Sequence, residues 1–179
     1  MSYLFLILII ILIVCILVFF LGLEIYTAII GAPFVSTPKK IIREAFKIAE
    51  LKHGDKLYDL GCGNGRVLVI ASKEFGAQAF GYEFSPLHYL LSKLNIYLNG
   101  CLKSAQVFWR NFYKVNIGNA DVMFLWLTPK AFKKLDHKFK SELKKGTRII
   151  TYSSPLVFWK PKQIYETSNG SKLFYYLVE

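Results

Sequence analysis

Tyr58-Asp59-Leu60-Gly61-Cys62-Gly63-Asn64-Gly65-Arg66 is the stretch that decides the fold of this chain. Lys56 to Leu60 reads as a strand, and a helix is predicted from about Arg66 to Phe75. The three glycines between them allow a tight turn and a close approach of ligand to backbone. A dinucleotide loop would read G-x-G-x-x-G/A and place a pyrophosphate on the helix N-terminus. Here the third position of that pattern is Arg66, and the spacing is G-x-G-x-G. Asp59 would repel a pyrophosphate but suits a cationic ligand. S-adenosylmethionine carries a sulfonium and an ammonium and no phosphate, so it is the cofactor this loop favours.

Two further positions fit the same ligand. A second strand is predicted from Ala77 to Glu83, and Glu83 at its end could accept both hydroxyls of a ribose. The plainer alternative is a strand-end charge in water. Asn111 follows a third predicted strand, Ala105 to Trp109; alone it is a turn residue, but in this order its amide fits an adenine edge.

The rest of the chain continues the alternation. Upstream, Thr37 is expected to cap a helix with Pro38 at its first position. Ile41, Ile42, Ala45, Phe46 and Ala49 give that helix one apolar face, and Gly54-Asp55 ends it. Downstream, Pro86 opens a helix that ends near Asn99-Gly100, and a fourth strand runs from Val122 to Leu127. Pro129 to Lys145 places Phe132, Leu135, Phe139 and Leu143 on one stripe with lysines on the other faces, an amphipathic helix. A fifth strand spans Thr147 to Tyr152, and QIYET-SNGS-KLFYYLV reads as a hairpin turning at Asn169-Gly170. The fold class expected is α/β, a Rossmann-like doubly wound sheet of seven strands with the last pair antiparallel.

Ahead of this domain, Tyr3 to Leu23 is an apolar run without a charge. As a helix it would be about 31 Å long, the hydrocarbon thickness of a bilayer. A cleaved signal peptide is the rival, but Met1-Ser2 offers no basic side chain. Lys39, Lys40, Arg43 and Lys47 follow the run and none precedes it, which by the positive-inside rule puts the N-terminus outside and the domain in the cytoplasm. The chain has 179 residues, and 23 Lys+Arg against 12 Asp+Glu leave it at +11. For a tethered domain that excess suits an anionic leaflet. Nucleic acid is the competing partner, disfavoured because no arginine-rich tract or aromatic stacking motif occurs. A hydrophobic content of 54% excludes disorder. Three cysteines make no disulfide framework and fit a reducing compartment.

With these residues in view, the chain resembles the class I (seven-β-strand) S-adenosylmethionine-dependent methyltransferases. Within that class it is similar to the small archaeal protein-lysine methyltransferases and to the membrane-anchored ATP synthase c-subunit lysine methyltransferases. The resemblance is carried by PFVSTPKKII, YDLGCGNGR, the Glu83 strand end, Arg110-Asn111-Phe112 and ELKKGTRIITY. It runs from about Pro33 to the C-terminus, and with the apolar run ahead of it the chain is expected to divide into a transmembrane anchor and juxtamembrane segment over 1–30 and a methyltransferase domain over 31–179. It assigns the methionine part of the cofactor to Asp59, Gly61 and Gly63, with Cys62 and Gly65 in the same loop. Ribose falls to Glu83 and adenine to Asn111, and the lead-in around Val35 to Thr37 folds over the cofactor.

On the acceptor side, Trp126, Thr128 and Tyr152 at the ends of the fourth and fifth strands are the candidates, each against an ordinary packing role. The (Asn/Asp)-Pro-Pro-aromatic tetrad usual in base-methylating enzymes is absent from this position, which disfavours bases as acceptors. A lysine amine must be neutral to attack, and at pH 7 only about 0.04% is, a penalty of roughly 4.6 kcal/mol. Desolvation and a nearby sulfonium both lower that pKa, so positioning supplies much of the catalysis without a dedicated base. The histidines, His53, His88 and His137, lie outside the loop and strand ends and read as structural or exposed, and no metal is expected. The function expected is methyl transfer to a lysine of a membrane-associated protein. A lipid or quinone methyltransferase and a non-catalytic cofactor-binding module are the alternatives.

Overall fold

The structure, a computed structural model, describes residues 3–30 and 35–179. Pro33 and Phe34 of the lead-in, with Gly31 and Ala32, fall outside these. Helix α1 (Tyr3–Ile30) contains a stretch, Tyr3–Gly22, long and apolar enough to cross a membrane, and none of that stretch is buried. The domain then runs α2 (Lys39–Ile48), β1 (Lys56–Leu60), α3 (Arg66–Phe75), β2 (Gln78–Glu83), α4 (Pro86–Leu98) and β3 (Ala105–Trp109). A short 3₁₀ turn (Phe112–Lys114) leads to β4 (Val122–Leu125), α5 (Pro129–Glu142), β5 (Arg148–Tyr152), β6 (Gln163–Glu166) and β7 (Lys172–Leu177).

The strands form one sheet in the order β3-β2-β1-β4-β5-β7-β6. The first five are parallel, and β7 inserts between β5 and β6, antiparallel to both. Sequence order reverses between β1 and β4, the topological switch point at which open α/β sheets bind ligands beyond the carboxyl ends of their strands. Both faces of the sheet are covered, so β4 is buried at every position rather than at alternate ones. One core lies on the side of α2 and α3, where Phe46 packs edge-on against Phe75 and Phe124. The other lies beneath α5, where Phe132, Leu135 and Phe139 meet Leu60 and Met123.

Three local expectations are corrected. Thr37 does not cap α2: Pro38 is the N-cap and its carbonyl accepts from the Ile42 amide, with no side-chain cap bond. The reason is tertiary, because Thr37 is buried and its carbonyl accepts from Arg66 Nη1 at 3.1 Å, holding it out of the helix. The fourth strand ends at Leu125, not Leu127. Its neighbour β1 turns away into the glycine loop after Leu60, so the residues beyond Leu125 have no ladder partner on that side. Helix α5 ends at Glu142 rather than Lys145, because Leu143 is already extended at the C-cap.

Candidate active site

The glycine loop joins β1 to α3 at the switch point. Gly61 and Cys62 stay attached to the neighbouring strand, both amides donating to the Tyr82 carbonyl (2.8 and 3.3 Å), and Gly65 N donates to Cys62 O at 2.9 Å. Gly61, Gly63 and Gly65 all have positive φ, +80°, +55° and +73°, where a side chain is strained. At Gly65 space forbids one as well, since a Cβ would lie 2.2 Å from Ser92 Oγ on α4. The loop is therefore pressed against α4 on one side, and Asn95 Nδ2 also holds the Asn64 carbonyl at 3.0 Å.

Two carboxylates border the loop, both nearly inaccessible: Asp59 at 4% and Glu83 at 8% exposure. Asp59 forms no ion pair among the described residues. Burial, and then the adjacent Glu83 charge, push its carboxyl well above the usual carboxylate range. Glu83 is also pushed up by burial, opposed by the backbone amides that bind its charged form. Its Oε2 accepts from Gly63 N, and its Oε1 accepts from Phe84 N and Ser85 N, each at 2.8 Å. Three of its roughly four lone-pair sites are thus taken by backbone, leaving about one for a ligand hydroxyl. The Gly63 amide, which a phosphate-binding loop would present to an anion, is already committed to Glu83. The donor set fits a cationic, phosphate-free cofactor and does not fit a dinucleotide. The Cys62 thiol is buried and pushed well up by desolvation and by the same two carboxylates, so it packs rather than reacts.

The remaining expected positions are placed as follows. Arg110 N donates to Glu83 O at 3.0 Å, which brings Asn111 to the end of β2. Asn111 Oδ1 accepts from Tyr113 N at 3.0 Å and caps the 3₁₀ turn, so its NH2 end is the one left for a ligand. Thr37 reaches the loop through Arg66 rather than through its own hydroxyl. Trp126 and Tyr152 are brought together, edge to face at 4.8 Å. The Tyr152 hydroxyl bonds Ser171 Oγ at 3.3 Å and accepts from Asn169 Nδ2 at 3.1 Å. Thr128 is the N-cap of α5, its hydroxyl accepting from Ala131 N at 3.2 Å.

Sequence reading missed Ser85 and set His88 apart from the strand ends as structural or exposed. Buried Ser85 caps α4, accepting from His88 N at 3.2 Å, with the His88 ring nitrogen Nδ1 at 3.1 Å from its hydroxyl. The imidazole stands near enough to Glu83 to favour its ionised form. The signal was present in Ser85-Pro86, a cap followed by proline at the first helical position.

Residues 59–163 match the ANTKMT methyltransferase domain. A protein-lysine N-methyltransferase of Saccharolobus islandicus (strain REY15A) is 34% identical over 140 residues, covering 78% of this chain and 87% of that protein. The ATP synthase c-subunit lysine N-methyltransferase of Homo sapiens is 28% identical over 132 residues, covering 74% of this chain and 56% of that protein. The chain therefore spans little more than half the length of that human relative. Among solved structures, an RNA methyltransferase from Salinibacter ruber in complex with S-adenosyl-L-homocysteine superposes with a TM-score of 0.78 at 25% identity, covering 80% of this chain and 94% of that one.

Proposed function

The chain belongs to the ANTKMT methyltransferase domain family of S-adenosylmethionine-dependent protein-lysine methyltransferases, and we propose that it is a membrane-anchored member that methylates a lysine of a membrane-associated protein. The observation that carries the chemistry is the buried Asp59–Glu83 pair around a glycine loop whose Gly63 amide is already used. Such a site costs stability in isolation and is relieved by a cation. The observation that carries the location is the stretch Tyr3–Gly22 of α1, apolar and unburied, with the first cations of the domain beyond the helix.

In this reading residues 1–30 anchor the chain and 31–179 form the catalytic domain on the cytoplasmic side. Asp59 holds the cofactor's ammonium, with Gly61, Cys62, Gly63 and Gly65 shaping the backbone around its methionine part. Glu83 takes a ribose hydroxyl on its remaining lone-pair site, and Asn111 presents its NH2 to adenine. Thr37, fixed by Arg66, carries the lead-in across the cofactor. When bound, the cofactor supplies an electrophilic methyl on a positively charged sulfur. The chain's own contribution is positioning and exclusion of water, which lowers the fraction of acceptor amine that stays protonated. Trp126 and Tyr152 give the acceptor side an aromatic wall against which an aliphatic lysine stem can lie.

The test is to add the purified full chain and methyl-labelled cofactor to membranes from cells lacking the gene. Label is expected in a membrane protein band, released as methylated lysine on hydrolysis, and absent with Asp59→Ala. Label in the organic-soluble fraction would instead establish a lipid or quinone acceptor. Label in RNA would move the acceptor assignment toward nucleic acid. Tight cofactor binding with no transfer to any fraction would leave a binding module.

A further inference from the structure

Helix α4 is built inside out. Its buried face consists of Ser92 and Ile96, while Leu87, Leu90, Leu91, Leu94 and Leu98 all face solvent. At 100° per residue those five leucines fall within an arc of about 100° opposite Ile96, a continuous stripe along the helix. Their exposures reach 59% at Leu90, 52% at Leu94 and 70% at Leu98. Single exposed leucines are ordinary, but a contiguous stripe of them marks a surface that meets another apolar phase.

The flanks of the stripe state what that phase is. On one side Tyr89 stacks on Trp109 at 6.4 Å, with Lys93 Nζ 5.6 Å from the Tyr89 ring. Trp109 is 57% exposed and anchored by its indole N–H to Phe84 O at 2.8 Å. On the other side Asn95 and Asn99 line a groove of about 250 Å³ shared with Lys39, Arg43, Arg66 and Lys73. The only carboxylate there among the described residues, Glu74, is already paired with Arg43 at 2.7 Å. From Phe84 to Ala120 the chain contains Lys93, Lys103, Arg110 and Lys114 and no Asp or Glu. Leucines in the centre, aromatic side chains and cations at the margins, and no free acid form the pattern of an interfacial helix on an anionic membrane. A second copy fits poorly, because a self-complementary contact would set cations against cations with no unpaired carboxylate there among the described residues to receive them.

We infer that the exposed face of α4, with Trp109 and the basic groove beside it, is a membrane-contact surface that seats the catalytic domain on an anionic bilayer independently of α1. Leucines enter the acyl boundary, and Lys39, Lys73 and Lys93 meet headgroup phosphates. The consequence for the site is direct. The N-terminus of α4 is tied to the cofactor carboxylate, since Glu83 Oε1 receives the Phe84 and Ser85 amides. Seating α4 therefore sets the height of the cofactor edge above the bilayer and selects acceptor lysines close to the headgroups.

The full chain is reconstituted into phosphatidylcholine–phosphatidylglycerol vesicles with brominated acyl chains, and Trp109 emission is isolated as the difference from Trp109→Phe. Emission from Trp109 is expected to fall about twofold relative to unbrominated vesicles, as for an indole at the interface. Leu90→Glu with Leu94→Glu, both on the exposed face, should abolish that quenching. Unquenched Trp109 in the native chain, or quenching that survives the double substitution, overturns the inference. So does self-association in detergent that the double substitution removes while Trp109 stays unquenched, which would assign the stripe to a second copy. Carbonate extraction reports separately on α1: release of the substituted chain would sink the anchor reading, while the quenching difference still decides the stripe.

Discussion

The two halves of the sheet's carboxyl edge are built on opposite principles. At β1 and β2, two carboxylates are buried side by side, three glycines hold positive φ, and Asp59 has no counter-charge among the described residues. At β4 and β5, the two candidate hydroxyls are satisfied within the chain. Thr128 caps α5, the Tyr152 hydroxyl is held by Ser171 and Asn169, and Trp126 packs on Tyr152. The first half buries a carboxylate with no counter-charge among the described residues, and the second holds both hydroxyls in bonds within the chain. A buried carboxylate without a counter-charge suits a cationic ligand, whereas Trp126 and Tyr152 form a preformed aromatic wall.

Asp59→Asn tests the first half hardest. Loss of one charge-assisted contact should weaken cofactor binding about tenfold to a hundredfold by calorimetry. The same substitution should raise the melting temperature of the free protein, by about 2–4 °C per kcal/mol of relieved desolvation and repulsion. The sign follows from linkage: the folded state holds the Asp59 proton more tightly than the unfolded chain, so folding becomes less favourable as pH rises from the ordinary carboxylate pKa to the raised folded one. The cofactor prefers the ionised form, so native affinity should climb with pH over that interval and then level, with proton release on binding below the plateau. A fall in melting temperature would mean that Asp59 is structurally satisfied, and the contrast between the halves would be lost.

Gly65→Ala sharpens the comparison from the side of shape. Its Cβ would overlap Ser92 Oγ at 2.2 Å and sit at φ +73°. A loss of about 1–3 kcal/mol is expected from the urea midpoint, and Ser92→Gly in the same chain should recover only the steric part. The smallest effects belong to the second half. Thr128→Ala should cost about 1 kcal/mol as a lost cap, and Tyr152→Phe no more than about 1 kcal/mol. Neither should move cofactor affinity in the same titration. A change in affinity from either one would extend the cofactor site across the switch point.

Much of the geometry of the β1–β2 half was legible in the sequence, because its constraints are local. A strand, alternating glycines and a helix start lie within eleven residues of one another, and glycine at positive φ leaves a signature no other residue shares. The strand-end position of Glu83 followed from the same periodicity. Thr37 was misread because a generic cap signal was outweighed by Arg66, 29 residues away, whose guanidinium holds the Thr37 carbonyl. Ser85 went unassigned and His88 was set apart from the site because their bearing on Glu83 depends on how α4 docks, which spacing does not encode.

By itself the sequence determined the alternating strand and helix order, the apolar helix at the start of the chain, the glycine loop and the sign of the charge its ligand must carry. These rest on period, composition and backbone sterics, which act over a few residues. Only the tertiary structure decided that Gly63 and Glu83 close on each other, that Trp126 and Tyr152 form one wall, and that α4 turns its leucines outward. The leucines of α4 sit at ordinary helical spacing, which by itself does not say which face the sheet will cover. The face a helix buries is chosen by what it docks against, and here the sheet takes Ser92 and Ile96 and leaves the leucines for another phase.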